Sequence, residues 1–149
     1  MSGIHSLQDL GNEITNKLKN NYSLINLSYI LDKYDGNDWY DHIRIKDPYN
    51  KTNVFYNDLI DIYIITWSKN NESKIHTHPE NGCLMKILNG CLIEEKYDDK
   101  LKLLKTSALK MNNISYIEGH KILHKIKNED NISVSLHIYS PPNYRPIYY

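Results

Sequence analysis

His76-Thr77-His78-Pro79-Glu80-Asn81-Gly82-Cys83, running straight into Leu84-Met85-Lys86-Ile87-Leu88-Asn89-Gly90, is the stretch on which the reading of this chain turns. Residues two apart on a strand point to the same face. His76 and His78 therefore present two imidazoles on one side. A third histidine, in Leu123-His124-Lys125, falls where a neighbouring strand is expected. Three neutral imidazoles gathered in this way make half of an octahedral site and leave three positions open for chemistry. Imidazole suits iron, zinc, copper and nickel alike, so the ligands by themselves select no one metal.

Outward from this stretch the pattern is β. Residues 84–88 and 92–97 flank Asn89-Gly90, and Asn-Gly between such runs predicts a hairpin. Residues 60–67 are rich in β-branched and aromatic side chains, with β structure beginning near Val54. Further strands are expected at 101–105, 115–117, 122–126 and 132–139, the last two separated by a turn at Asn128-Glu129-Asp130-Asn131. Many short strands with regular turns predict a sandwich or small barrel. Upstream the period changes. Leu7, Leu10, Ile14 and Leu18, then Leu24, Leu27, Ile30 and Leu31, recur at helical spacing. Ser6 with Asp9, and Ser23, are the expected starts of two helices. The tail after Pro141-Pro142 cannot continue a central strand, because proline lacks the ladder donor. A tail this short is expected to leave any pocket more open.

The 149 residues predict one domain, 1–149, helical at about 6–34 and a β-barrel at about 50–142. Lys plus Arg and Asp plus Glu number 18 each, so there is no net charge to favour nucleic acid or an anionic membrane. No signal-peptide pattern and no membrane-spanning apolar run is found. Two cysteines, Cys83 and Cys91, cannot make a disulfide scaffold, and a reducing, cytoplasmic setting with a monomeric protein is expected. His5 and His42 read as scattered surface residues, His120 as a loop residue and Cys91 as packed.

At the motif level the resemblance becomes specific. His76-x-His78-x4-Cys83-x6-Gly90 resembles the first motif of the cupin superfamily, with cysteine where that motif usually carries glutamate. His124-x3-Asn128 resembles the end of the second motif. Cysteine at that position is characteristic of the eukaryotic-type cysteine dioxygenases. Trp67 nine residues before His76, the string from Cys83 to Gly90, Tyr116-Ile117, and Ser135-Leu136-His137-Ile138-Tyr139-Ser140-Pro141-Pro142 are all similar to that family. The resemblance covers roughly 39–142.

It implies a mainly β cupin jelly-roll barrel with N-terminal α-helices, binding ferrous iron and converting L-cysteine with O2 to cysteine sulfinate. It implies His76, His78 and His124 as iron ligands, Cys83 and Tyr139 as a thioether pair, and Ser135 and His137 as residues that hydrogen-bond toward that tyrosine. The charge argument agrees. Three neutral imidazoles leave a divalent ion its full charge, so a thiolate and a reduced oxygen can be accepted together. Ser135, His137 and Tyr139 alternate on one strand and so share a face.

Two positions depart from the family pattern. Its substrate arginine lies in a Tyr-x-Arg segment, which aligns here, with a one-residue gap, to Tyr49-Asn50-Lys51. Lys51 then replaces a planar fork with a point charge. Arg44 and Arg145 are the alternatives, and the carboxylate of L-cysteine or of 3-mercaptopropionate is the expected partner, ahead of cysteamine. Gly82, before the cysteine, is attributed to a tight turn after Asn81. A non-catalytic metal-binding cupin, and a zinc cupin using a carboxylate base such as Glu80, are the competing readings.

Overall fold

The computed structural model describes residues 3–119 and 121–149, so the expectation for His120 lies outside the described residues. Ser6 caps the first helix, α1 (Leu7–Lys19), accepting a hydrogen bond from the Asp9 N–H at 3.0 Å. This satisfies one of the donors that a helix start leaves bare. The second helical region is not continuous from Ser23. A 3-10 turn, Leu24–Leu27, precedes a short α2 (Ser28–Asp32), and Ser23 makes no side-chain cap.

Eight strands follow: β1 (Asn50–Tyr56), β2 (Asp61–Trp67), β3 (Cys83–Asn89), β4 (Cys91–Tyr97), β5 (Leu103–Lys110), β6 (Ile114–Ile117), β7 (Leu123–Lys127) and β8 (Ser133–Tyr139). They form a five-stranded antiparallel sheet, β1-β2-β8-β3-β6, and a three-stranded one, β5-β4-β7. The jelly-roll layers are present, but their ladders do not close into one barrel.

Asn89-Gly90 is not a hairpin. β3 pairs with β6 and β8, whereas β4 pairs with β5 and β7. The dipeptide is a corner at which the chain leaves one sheet for the other, as strands do at the edges of packed sheets. Gly90 has φ +77°, and an added Cβ would stand 2.3 Å from the Ser133 hydroxyl. β4 instead makes a hairpin with β5, longer than expected. Its turn is organised by Asp98, whose Oδ1 accepts from the Lys100 and Lys102 N–H groups at 2.9 Å each. β1 begins at Asn50, earlier than its polar sequence suggests, because it is an edge strand.

The inner strands β2, β8 and β3 of the five-stranded sheet are buried on both faces. Ile62 and Ile64 of β2, Leu84 and Leu88 of β3, and Val134, Leu136 and Ile138 of β8 pack against the helices. Residues of opposite parity, Ile65, Trp67, Met85 and Ile87, meet Leu92, Leu109 and Ile126 of the other sheet. Lys86 breaks the apolar pattern on the helix side. Its ammonium donates to the carbonyls of Leu31, Asp32 and Tyr34 at 3.2, 3.2 and 2.8 Å, tying the sheet to the end of α2, where the helix dipole favours a cation. Among the described residues no helix is long and apolar enough to cross a membrane.

Candidate metal centre

The period-two alternation that sends aliphatic residues to the helices sends Cys83, Ser135, His137 and Tyr139 to the space between the sheets. His124 reaches the same space from β7. His76 and His78 do not lie in a regular strand. They sit in the extended link between β2 and β3, held by isolated bridges from His76 to His124 and to Tyr148. The turn that follows runs from Pro79 to Gly82, whose N–H donates to the Pro79 carbonyl at 2.8 Å, with Gly82 at φ +87°. Glu80 is exposed on this turn, which argues against its service as a pocket base.

The three rings converge. His124 Nε2 stands 3.0 Å from His78 Nε2 and 3.1 Å from His76 Nε2. With metal–nitrogen bonds of about 2.1 Å, ligands at right angles sit about 3.0 Å apart. The two spacings about His124 are therefore those of adjacent octahedral positions, and all three ligand atoms lie within 4.8 Å of one another. Burial lowers the pKa of every ring, His76 to about 4 and His78 and His124 well below the usual value. All three are neutral near pH 7, with their ligand nitrogens gathered in one small space, an arrangement that suits a cation.

Their outer nitrogens are held differently. His76 Nδ1 donates to the Lys74 carbonyl at 2.7 Å. His124 Nδ1 donates to Glu94 Oε2 at 2.8 Å, and Glu94 Oε1 accepts from the Ser115 hydroxyl at 2.7 Å. His78 Nδ1 has no partner among the described residues. Glu94 and His124 are 2% and 1% exposed, so the contact is sealed from water. Burial raises the Glu94 pKa, opposed by the Ser115 bond. Sequence reasoning missed Glu94. The available signal was its parity with Leu92 on β4, which turns it inward.

Beside the histidines runs a chain of hydrogen bonds. The Trp67 indole donates to Ser135 Oγ at 2.9 Å, Ser135 Oγ meets His137 Nε2 at 2.7 Å, and His137 Nδ1 meets the Tyr139 hydroxyl at 3.3 Å. An indole N–H can only donate. With two lone pairs and one proton, Ser135 can accept the indole N–H and donate to His137 Nε2; with that direction His137 carries its hydrogen on Nδ1. That hydrogen points at the Tyr139 oxygen, leaving the tyrosine proton to donate into the pocket. His137 is neutral, its pKa well lowered by burial, while burial raises Tyr139.

Cys83 lies directly opposite Tyr139 in the β3–β8 ladder, where facing Cβ atoms are about 5 Å apart. Its thiol is free and buried, its pKa pushed up by that burial, and its sulfur stands 4.0 Å from His137 Nδ1.

Tyr49 and Lys51, the two residues that align with the family's Tyr-x-Arg segment, line the same cavity as His76, His124 and Tyr139. Tyr49 stacks near Trp67 with ring centroids 4.6 Å apart. The Lys51 ammonium sits 4.8 Å from the Tyr63 ring centre and 5.2 Å from that of Tyr139. Burial lowers its pKa, although the side chain stays partly in water, which screens the effect. Arg44 instead donates to the Asp41 and Ile43 carbonyls, and Arg145 is exposed and does not line the cavity. His5 is exposed and pairs with Asp35, and His42 is half-buried.

The pocket is not left open by the tail. Thr77, between two ligands, anchors it: its hydroxyl bonds Tyr144 OH at 2.7 Å and accepts from the Ile147 N–H at 2.9 Å. Pro146 and Tyr148 thereby become pocket wall, and the space remaining is about 20 Å³, little more than one water needs.

The comparisons with known proteins follow this geometry. The family model for cysteine dioxygenase type I matches residues 6–147. Relatives from Danio rerio and Rattus norvegicus, both named cysteine dioxygenase type 1, are 30% and 32% identical, each over 76% of this chain. The chain spans 63% and 62% of those relatives' own length. Among solved structures, a conserved protein with a double-stranded beta-helix domain from Klebsiella pneumoniae superposes with a TM-score of 0.62 at 14% identity, over 72% of this chain and 90% of that one. A cupin superfamily protein from Desulfitobacterium hafniense gives 0.54 at 16% identity, over 65% and 81%. These two speak to the fold alone, and that fold is the cupin one. The family match runs from the cap of α1 into the tail pinned by Thr77 and takes in every residue of the three-histidine centre: the chain belongs to the cysteine dioxygenase type I family.

Proposed function

We propose that this chain is a thiol dioxygenase that converts L-cysteine and O2 to cysteine sulfinate, both oxygen atoms passing to sulfur, with ferrous iron held by His76, His78 and His124. The observation that carries this reading is the Tyr139 hydroxyl, oriented by His137 and Ser135, on the wall of the same cavity as the histidine cluster. A site that merely stored a metal has no use for an oriented donor there. Ferrous iron, when bound, supplies the electron transfer that lets O2 react with a thiolate sulfur. Lys51 attracts the substrate carboxylate as a point charge, and Tyr49 adds a hydroxyl beside it. Tyr139 donates its proton toward the oxygen atoms as negative charge develops on them, and His137 steadies the phenol oxygen behind it. Cys83, opposite Tyr139, would form a thioether with the tyrosine ring, its S–H and one ring C–H being lost as two protons and two electrons, the electrons taken up by O2. Pro146 and Tyr148 restrict water at the mouth.

An aerobic assay on iron-loaded protein tests this, with L-cysteine, 3-mercaptopropionate and cysteamine offered in parallel. Sulfinate equal to O2 consumed is expected, with L-cysteine first and cysteamine last. No uptake with any of the three, despite confirmed bound iron, would return the protein to the non-catalytic metal-binding reading.

A further inference from the structure

Asp61 opens β2 with the parity of Tyr63 and Ile65, so it faces the inside of the molecule, opposite Tyr139 in the β2–β8 ladder. It is 3% exposed. One carboxylate oxygen, Oδ2, accepts from the Asn143 N–H at 3.0 Å. The other, Oδ1, is buried and has no hydrogen-bond partner among the described residues. An ionisable oxygen buried without a partner is costly, and such groups are ordinarily satisfied by a neighbour or a bound water.

Its surroundings supply the means. Asp61 lines a cavity of about 30 Å³, walled also by Lys51, Tyr63, Tyr139, Tyr144 and Pro146. That is room for a water, which needs roughly 10–15 Å³ and two or more polar partners. Lys51 and Tyr139 line both this cavity and the one beside the histidines. Lys51 is thus the partition between a compartment that holds an unsatisfied carboxylate and the compartment that receives substrate. Among the described residues no carboxylate lies within ion-pair distance of its ammonium. Two tyrosine rings alone do not fix a four-carbon chain with three rotatable donors.

We propose that Asp61 is a positioning residue for Lys51, acting through a water held between Asp61 Oδ1 and Lys51 Nζ. The water satisfies the orphaned oxygen and draws the ammonium inward against Tyr63 and Tyr139. In that place it meets the carboxylate of an incoming thiol instead of swinging into solvent. The arrangement restores by two anchors the direction that a lysine lacks by comparison with a planar guanidinium. The idea rests on the thiol dioxygenase reading only in giving Lys51 a carboxylate to meet.

Two measurements decide it, and the first is independent of turnover. In a high-resolution crystal structure of the unaltered protein, a water within hydrogen-bond reach of both Asp61 Oδ1 and Lys51 Nζ is expected. A cavity without water, or a water touching only one of the two, overturns the proposal. The second is kinetic, on iron-loaded enzyme. Asp61→Asn keeps the shape and the Asn143 contact. It is expected to raise the apparent KM for L-cysteine and 3-mercaptopropionate about fivefold, change kcat less than twofold, and leave the KM for cysteamine in place. Lys51→Ala is expected to raise the KM for the same two acids, and adding Asp61→Asn to it should do nothing more. An unchanged or lowered KM for the acids in Asp61→Asn, or full additivity with Lys51→Ala, overturns the proposal. Absence of turnover with every thiol would sink the enzymatic reading while leaving the crystallographic test to judge Asp61.

Discussion

At the scale of single residues, Glu94 alters the charge arithmetic of the metal centre. Three neutral imidazoles alone would leave a divalent ion its full charge. A carboxylate 2.8 Å behind His124, sealed from water, places a negative charge one ring away from the ion. It also fixes the His124 tautomer, so that Nε2 is the free nitrogen. Glu94→Gln keeps the size but removes the charge and, with it, the strong acceptor. Metal affinity measured by chelator competition is expected to fall roughly 10–100-fold, the range found for such outer partners of metal-binding histidines. An unchanged affinity would show that His124 needs no carboxylate behind it. Most of the centre was legible at this scale, because strand parity alone aligns Ser135, His137 and Tyr139, and the paired histidines declare themselves by spacing. Glu94 was not. Next to Glu95 it reads as one more charge on a solvated strand, and its burial depends on β6 bringing Ser115 across from the opposite sheet. Asp61 was hidden in the same way, as a polar residue at the start of an apolar run.

At the scale of elements, strands were legible as strands and their partners were not. The alternation of β2, β3 and β8 is plain in the sequence, but alternation does not say which strand lies alongside. Asn89-Gly90 has the residues of a two-residue hairpin and serves as a corner, since Gly90 packs against the Ser133 hydroxyl and each sheet claims one arm. Gly90→Ala tests the corner. A left-handed φ costs a non-glycine residue about 1–2 kcal/mol, and the methyl would also press on Ser133. A stability loss of about 2 kcal/mol or more in urea unfolding is expected. A loss below about 0.5 kcal/mol, the usual range for an unconstrained surface change, would mean that the corner relaxes freely. The N-terminal region shows the complementary limit: helical spacing located α1 and its Ser6 cap, but could not distinguish a 3-10 turn leading into α2 from one longer helix.

At the scale of the whole molecule, the centre is built at the seam between the two sheets, and this governs how the metal-free protein responds to acid. His76, His78, His124 and His137 all have pKa values lowered by burial, His76 to about 4. In the unfolded chain each returns to about 6.5. Between those values the unfolded state binds more protons, so stability rises with pH there. The histidines' contribution is whole above about pH 6.5 and is lost as pH falls toward 4. Asp61 and Glu94, with raised values, act in the opposite sense, but are fewer. Urea midpoints of metal-free protein are therefore expected to drop between pH 7 and pH 5; a flat profile would show that the rings are not desolvated as described. The same seam has a further consequence. His78 and His124 are 46 positions apart in the chain, one in the link between β2 and β3 and the other in β7. A cation gripped by both does for this protein what a covalent staple does for a secreted one. On chain-entropy grounds, closing a loop of that length is worth on the order of 4 kcal/mol, so the ion is part of the architecture as well as part of the chemistry.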